Sequence, residues 1–252
     1  MAKRWTEQEL LIAMNVYCRL PFGQLDQRTP LIAQVAEKMG RTPSSVSMKL
    51  CNFASFDPAL QARGIKGLPG ASRGDRAMWD AFHDNWNEMS DKSEIAFDQL
   101  MEQGTCPSGE QIFMPTGDSE APATLKVRRH QQFFRNTVLA SYEQRCALSL
   151  IAVPALLNAS HIIPWSVSAE RRTDPTNGIC LNALSDRAFD RGLITFDKDL
   201  RLVVSSLLKT GDIPEFQRIN FRAVQGERLH LPHRFSPDPK ELEHHREHIF
   251  SE

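Results

Sequence analysis

The chain has 252 residues, of which 41% are hydrophobic, and a formal net charge of −1, which predicts a globular protein and excludes a chain that binds nucleic acid through overall positive charge. The wide spacing of the five cysteines, with no CxxC pair among them, argues against a disulfide framework and against a cysteine-rich zinc site. No apolar run approaches the roughly 18 residues of a membrane helix, so we expect a soluble cytoplasmic protein with no membrane partner.

The first predicted helix has a well-marked beginning. Thr6 followed by Glu9 forms a capping box, and Trp5 and Leu10 occupy the two positions of a hydrophobic staple. The apolar pattern predicts that this helix continues to about Tyr17.

A helix, a tight turn and another helix are predicted next. The second helix covers about residues 31–39 and ends at Gly40, which suits a left-handed cap. Thr42 and Pro43 then provide an N-cap and a first-turn proline for a third helix. We expect the later helices to form a core from the following residues: Met78, Trp79, Phe82, Trp86, Met89, Ile95 and Leu100.

The third helix is predicted to have an apolar and a polar face. Val46, Leu50 and Phe53 have the spacing of an inward face. The residues expected to be more exposed are Ser44, Ser45, Ser47, Lys49 and Asn52. This stretch resembles a Myb/SANT-type or winged-helix-like helix-turn-helix, in which the later helix reads DNA, and the resemblance makes Lys49 and Asn52 candidate DNA contacts. A plain helical bundle with a solvated polar face, or a module that binds another protein, remains an open alternative.

A segment rich in Pro, Gly, Ser and Thr covers residues 104–124. Such a composition is typical of a linker. We therefore predict an α-helical domain at residues 1–103 and a second domain at residues 125–252.

The second domain is predicted to combine helices with short strands. A helix over residues 126–142 precedes strand-like runs at 146–151 and 155–163, which Pro154 connects. A polar loop follows, then a short helix over 182–192 and a hairpin around the DKD turn of 193–206. The fold class is thus α+β.

Candidate catalytic residues follow one another along this domain. His161 lies in the second predicted strand and Asn177 in the loop, while Asp186 and Asp190 lie one turn apart on one face of the helix. A lone histidine in an apolar strand is more often a core residue, but these ordered neighbours favour a catalytic role for His161. A histidine with a pKa near about 6.5 can accept a proton from water at neutral pH.

The second domain resembles the ββα-metal nucleases, and more closely the His-Asn-His (HNH) endonucleases of bacterial restriction type. The strings that carry the resemblance are RCALS at Arg145, ASHIIPW at Ala159, DPTNGICLNAL at Asp174, FDRGLITFD at Phe189 and HREHIF at His245. The resemblance implies that His161 is the general base of phosphodiester hydrolysis. It also implies that Asn177 stabilises the loop and orients this base, and that position 186 contributes to the catalytic metal site.

Oxygen ligands are expected for the metal. Asp186, Asp190 and Ser160 are the candidate ligands, and carboxylates favour Mg²⁺ or Mn²⁺. Two positions depart from the family pattern, because Ser160 precedes the base where Asp or His is common and Ser185 stands where His is common. The alternative is therefore a catalytically impaired DNA-binding protein that keeps the nuclease scaffold.

The resemblance implies double-stranded DNA as the partner, products with 3′-hydroxyl and 5′-phosphate ends, and a role in restriction or defence against foreign DNA. Cleavage of both strands needs two active sites, so we also expect a homodimer. The candidate phosphate contacts outside the N-terminal domain are Arg128, Arg129, Arg171 and Arg172.

Overall fold

The computed structural model describes residues 4–65, 70–102 and 121–252 of the protein. Backbone contacts divide the chain into two compact units, Met1–Asn136 and Thr137–Glu252. Helices dominate the first unit, and the second adds two small antiparallel sheets to further helices. The expected α+β class is therefore confirmed. In the described part of the chain, no helix combines the length and the apolar character that crossing a lipid bilayer requires.

The helices of the first unit form a core around fully buried aromatic side chains such as Tyr17, Phe53 and Phe82. Their bounds are α1 (Glu7–Arg19), α2 (Pro30–Lys38), α3 (Pro43–Ala54), α4 (Pro58–Ala62), α5 (Arg73–Asp84), α6 (Trp86–Glu102) and α7 (Ala121–Ser141), with a 3₁₀ turn at Phe22–Gln24. The helix α7 continues into the second unit.

The predicted start of α1, the left-handed cap after α2 and the predicted start of α3 are confirmed. The hydroxyl of Thr6 accepts from the Glu9 amide at 3.2 Å, and the Glu9 carboxylate accepts from the Thr6 amide at 2.8 Å. Gly40 adopts a left-handed φ of 62° after α2, and Thr42 caps α3. These signals lie within four residues of the helix end they set, so they act locally. The helix α1 extends two residues beyond its predicted end, to Arg19.

The predicted core of the first unit is largely confirmed. Val46, Leu50 and Phe53 of α3 are completely buried, as expected. Four residues of α5 and α6 that were predicted to be core are also buried, namely Met78, Trp79, Phe82 and Trp86. Leu100 is buried too, but Ile95 is 37% exposed, so the core prediction for Ile95 is wrong.

The predicted exposure of Lys49 is also wrong. Its ammonium group lies 2.6 Å from Asp75 Oδ1, and Asn52 donates to the other oxygen of Asp75 at 3.0 Å. Asp75 is completely buried in α5, and a buried carboxylate is costly unless it is paired. Burial acts to raise the pKa of Asp75, but the bonds from Lys49 and Ser72 outweigh it and hold that pKa below its usual value. The candidate DNA contacts of α3 therefore point into their own unit.

The predicted linker is only partly within the described residues. Residues 104–120 lie outside them, and residues 121–124 belong to α7 instead of a linker. The first part of α7 packs with the first unit, where Arg129 forms an ion pair with Asp91 at 2.8 Å. The contact boundary after Asn136 therefore lies within a helix, while the domain bounds proposed from the sequence stay a prediction.

The second unit begins with the end of α7 and contains two strand pairs. The strands are β1 (Leu157–His161), β2 (Gly178–Asn182), β3 (Ile194–Phe196) and β4 (Leu202–Val204). The helices are α8 (Ala183–Asp190), α9 (Ser206–Lys209), α10 (Glu215–Gln217) and α11 (Pro239–His248), with 3₁₀ turns at Pro154–Leu156 and Pro175–Asn177 and a π-helical turn at Arg218–Arg222. The pairs β1 with β2 and β3 with β4 are both antiparallel, and the DKD hairpin is confirmed.

The strand assignment before His161 needs a correction. Residues 146–151 form a turn instead of a strand, and its backbone amides at Leu148 and Ser149 donate to the thiol sulfur of Cys146 at 3.4 Å. His161 consequently ends the first strand of the motif, and β2, which was not predicted, is the second. The order strand, strand, helix survives with a different pair of strands.

The segment after α11 lies against the turn that ends α8. Gly192 in this turn has a φ of 67°, and the Ser251 amide donates to its carbonyl at 2.9 Å. A side chain at position 192 would overlap the backbone of Ile249. This glycine is therefore required by both conformation and space.

Candidate active site

The ring of His161 is oriented by the loop between β1 and β2. Nε2 lies 3.0 Å from the Arg172 carbonyl oxygen. Because a carbonyl oxygen only accepts hydrogen bonds, Nε2 carries the proton, and the basic lone pair of a neutral ring is at Nδ1. The rings of Trp165 and His161 are nearly perpendicular, with their centroids 5.6 Å apart.

The protonation state of His161 suits proton acceptance. Burial lowers the pKa of His161, and the Arg172 carbonyl and the Asp186 carboxylate oppose this shift without reversing it. The imidazole is consequently neutral at neutral pH. A neutral ring with a defined tautomer is the form that a general base requires.

Asn177 closes the same loop. Its side chain is buried, and its Oδ1 accepts from the Ile163 amide at 2.7 Å. Its Nδ2 donates to the carbonyl oxygens of Ile163 and Arg171, both at 3.1 Å. These bonds connect the residue next to Arg172 with the end of β1, which is the geometry expected for a residue that fixes the loop around the base.

Asp186 lies on α8 and faces β1. Its Oδ1 accepts from the Ser160 hydroxyl at 2.5 Å, and its Oδ2 accepts from Asn158 Nδ2 at 2.6 Å. Asn158 was not among the predicted site residues. Because side chains alternate along a strand, residues 158 and 160 share a face of β1, and this period was the available signal.

The other two candidate positions on α8 differ from Asp186. Asp190 is exposed to solvent one turn later. Desolvation by the surrounding protein atoms raises the pKa of Asp190, and the nearby Asp186 carboxylate raises it further. Ser185 belongs to the helix cap, where its hydroxyl accepts from Asn182 Nδ2 at 3.1 Å and its amide donates to Asn182 Oδ1 at 3.0 Å. Ser185 therefore supports the start of α8, and Asp186 is the carboxylate that β1 holds.

The side chains near Asp186 offer oxygen ligands to a divalent ion. The available donors are oxygens, from the Asp186 carboxylate, the Ser160 hydroxyl and the Asn158 amide. Within the described residues, no three His, Cys, Asp or Glu side chains form a metal-binding group. This sparse oxygen set fits Mg²⁺ or Mn²⁺, which keep several waters and bind substrate phosphates, and it does not fit Zn²⁺, which takes nitrogen and sulfur ligands.

The candidate DNA contacts belong to both units and differ in their surroundings. Arg172 is near the base, with its guanidinium 5.0 Å above the Trp165 ring and its Nε donating to the Trp165 carbonyl at 3.0 Å. Arg171 is surrounded by carboxylates of its own unit. Arg128 is exposed on α7. Arg129, Lys49 and Asn52 interact with aspartates of the first unit, as described above.

A buried histidine that had no assigned role lies behind α8. His245 of α11 stacks on the Phe189 ring at 3.8 Å, its Nε2 lies 3.1 Å from the Phe189 carbonyl, and its Nδ1 lies 2.9 Å from the Thr195 hydroxyl. Burial lowers the pKa of His245 to about 4. His244 and His248 instead stack on each other at 4.3 Å. His245 therefore fastens α11 to the helix that carries Asp186.

Comparison with known proteins adds one match. A family model described as HNH endonuclease matches residues 146–197. The matched stretch contains β1, β2, α8 and β3, with His161, Asn177 and Asp186 in their expected order. The resemblance inferred from the sequence is confirmed for this stretch. No curated protein matches the chain significantly.

Proposed function

We propose that this protein, which carries an HNH endonuclease domain at residues 146–197, is a metal-dependent endonuclease that hydrolyses phosphodiester bonds of double-stranded DNA. One observation carries the proposal. The bond from His161 Nε2 to the Arg172 carbonyl leaves Nδ1 as the basic atom of a neutral ring, on the strand that also holds Asp186 through Ser160. Hydrolysis of a phosphodiester requires such a base to remove a proton from the attacking water.

The roles of the side chains follow from this arrangement. His161 accepts the water proton at Nδ1, while Nε2 stays bonded to the loop and prevents rotation of the ring. Asn177 keeps that loop closed. Asp186, supported by Ser160 and Asn158, is the proposed anionic ligand, with Ser160 and Asp190 as further candidates. A divalent ion bound there would neutralise charge on the phosphate and stabilise the leaving oxygen.

Nicking of supercoiled plasmid DNA tests the activity. The wild type is expected to nick with Mg²⁺ or Mn²⁺ and to stop on addition of EDTA. Loss of a general base typically costs about 100- to 10,000-fold in rate, so His161→Ala is expected to lose at least about 100-fold. His248→Ala, at an exposed histidine of α11, is the matched control and is expected to retain the wild-type rate.

A specific observation favours a second candidate, a DNA-binding protein with impaired chemistry. The described residues contain no group of three metal-binding His, Cys, Asp or Glu side chains, and Ser185 is engaged in the cap of α8. This candidate predicts DNA binding without cleavage in Mg²⁺, Mn²⁺, Ni²⁺ and Zn²⁺. It also predicts that Ser185→His, which introduces the side chain common in the family, creates metal-dependent nicking. A wild type that nicks DNA excludes it.

We place the activity in restriction or defence against foreign DNA, in the cytoplasm. Expression of the wild type, but not of His161→Ala, is expected to lower the plating efficiency of a DNA phage. Equal plating efficiency across a panel of phages would count against this role. Duplex cleavage needs two active sites, so we also propose a homodimer, which light scattering with and without DNA tests. A monomeric protein on cleaved duplex would exclude it.

A further inference from the structure

Arg171 is held by three carboxylates from two parts of the second unit. Its Nη1 lies 3.1 Å from Asp174 Oδ2, its Nη2 lies 3.1 Å from Asp238 Oδ2, and its Nε donates to Glu241 Oε1. Asp174 belongs to the loop after β1, whereas Asp238 caps α11 and Glu241 lies in its first turn. We call this group of four residues the loop clamp. The Asp238 amide reinforces it by donating to the Thr176 carbonyl at 3.0 Å.

The backbone at the loop clamp leads directly to the proposed base. The carbonyl of Arg171 accepts from Asn177 Nδ2 at 3.1 Å, and the carbonyl of the next residue, Arg172, lies 3.0 Å from His161 Nε2. The group that orients the imidazole is therefore one peptide unit from the residue whose side chain is fixed to α11. A shift of this peptide unit moves the acceptor of the His161 proton.

The charges around Arg171 argue against a direct phosphate contact. One guanidinium group faces three carboxyl groups, so once Glu241 is ionised the neighbourhood carries excess negative charge that repels a DNA phosphate. The guanidinium also uses Nε and both terminal nitrogens in these contacts, and Nη2 donates in addition to the Thr176 hydroxyl at 3.2 Å. A phosphate would have to displace bonds that are already formed.

We infer that Arg171 and Glu241 are positioning residues, which hold the loop against α11 so that the Arg172 carbonyl keeps the His161 ring in the tautomer with its basic lone pair at Nδ1. The catalytic consequence rests on the function proposed above. The orientation of the His161 ring is a property of the free protein and is measured without any substrate.

Kinetics separate this role from DNA binding. Assays run well above pH 7, so that Glu241, whose pKa burial raises to about 7, is largely ionised. Arg171→Gln and Glu241→Gln are both expected to lower kcat at saturating DNA by about 10- to 100-fold, because misplacement of a catalytic group by about 1 Å has such effects. The dissociation constant for DNA, measured with Ca²⁺ in place of Mg²⁺, is expected to stay unchanged.

The effect of Glu241→Gln on DNA binding distinguishes a positioning role of Arg171 from a direct phosphate contact. If Arg171 contacted a phosphate, Arg171→Gln would weaken binding and reduce the salt dependence by about one unit of slope. Glu241→Gln would then tighten binding, because it removes a negative charge beside the contact. Tighter DNA binding with an unchanged kcat in Glu241→Gln would overturn the inference.

Histidine NMR provides the second readout. In protein labelled with ¹⁵N at histidine, the wild-type His161 ring is expected to show the pattern of the Nε2–H tautomer, assigned by its loss in His161→Gln. Arg171→Gln and Glu241→Gln are expected to shift this signal toward a mixture of tautomers. An unchanged pattern in both variants would contradict the positioning role. Because the measurement needs no cleavage, it remains decisive for a protein without nuclease activity.

The Arg218–Glu215 ion pair is the matched control. It joins the same residue types on the exposed surface of the second unit. Arg218→Gln and Glu215→Gln are expected to leave kcat and the His161 signal unchanged. If Arg171→Gln does not fold, as circular dichroism will show, Arg171→Lys replaces it. The lysine retains one ion pair but loses the fork, so intermediate values of kcat and tautomer are expected. Wild-type values of both would overturn the inference.

Discussion

The Ser160 hydroxyl donates to Asp186 Oδ1 at 2.5 Å and so connects the strand of the proposed base with the helix of the proposed metal ligand. The neighbouring Asn158 amide holds the second carboxylate oxygen of Asp186. Asp190 has no comparable support from β1. Two carboxylates one turn apart on the same helix therefore differ in how firmly they are held.

We therefore expect the removal of Asp186 and the removal of Asp190 to have unequal effects on metal binding. Asp186→Ala is expected to abolish detectable Mn²⁺ binding and Mg²⁺-dependent nicking, whereas Asp190→Ala is expected to weaken Mn²⁺ binding by less than about tenfold, because solvent already reaches Asp190. Mn²⁺ titration followed by electron paramagnetic resonance measures both affinities. An Asp186→Ala protein that binds Mn²⁺ as the wild type does would remove Asp186 from the metal site.

The buried pair of Lys49 and Asp75 predicts a loss of stability. Lys49→Met leaves the Asp75 carboxylate buried without its cation, and breaking a buried pair in this way costs about 3–5 kcal/mol. Urea unfolding measures the loss. The double variant Lys49→Met with Asp75→Asn is expected to recover part of it, because it removes the unpaired charge. DNA affinity under native conditions should stay unchanged in both, and a strong decrease would restore Lys49 as a DNA contact.

The burial of His245 predicts a pH dependence of stability. The pKa of His245 is about 4 in the folded protein, against about 6.5 unfolded, so the neutral ring contributes stability above pH 6.5 that is lost as the pH falls toward 4. The shift corresponds to about 3 kcal/mol. Unfolding of the wild type and of His245→Gln is compared across this range, and their difference is expected to shrink on acidification.

The wild type alone does not isolate the effect of His245, because the contribution of Glu241 to stability changes with pH in the opposite direction. The wild type is therefore compared with His245→Gln. Burial raises the pKa of Glu241 to about 7, against the attraction of Arg171, so its contribution is present below pH 4.5 and is lost as the pH rises through 7. The two effects partly cancel in the wild type. A difference between wild type and His245→Gln that stays constant with pH would show that His245 does not titrate in this way.

Gly192 predicts a local strain effect. A side chain there would require the left-handed conformation and would displace the backbone at Ile249. Gly226 has a similar φ of 83° in the same unit, but nothing lies within 4 Å of the position of its missing Cβ. Gly226→Ala is therefore the control, with an expected loss of about 1 kcal/mol from conformation alone. Gly192→Ala should lose clearly more in thermal unfolding, and equal losses would show that the close approach is unimportant.

The features that could be predicted from the sequence act over short distances. The caps of α1 and α3 depend on residues three positions apart, and the helix that carries Asp186 follows from local periodicity. The strand β2 was missed because a short apolar run after a turn has no distinctive period, and residues 146–151 were assigned to a strand for the same reason.

Partners far apart in the chain could not be predicted. Lys49 and Asp75 are separated by 26 residues, and Arg171 and Glu241 by 70. A basic residue beside polar ones has the same sequence appearance whether its cation meets solvent, DNA or a buried carboxylate. The packing of α3 on α5 shows that the cation of Lys49 meets a buried carboxylate. The packing of the loop after β1 on α11 shows the same for Arg171.

The separation of Arg171 from Glu241 also has a consequence for biosynthesis. The ribosome makes β1, β2 and α8, with every proposed catalytic residue, before it reaches α11. A nascent or prematurely terminated chain that ends before Glu241 has His161, Asn177 and Asp186 but lacks the bond between Arg171 and Glu241. If the protein is the endonuclease proposed above and the loop clamp acts as inferred, such a fragment holds its base less firmly, and the cell's own DNA meets the competent enzyme only after α11 has been synthesised and folded.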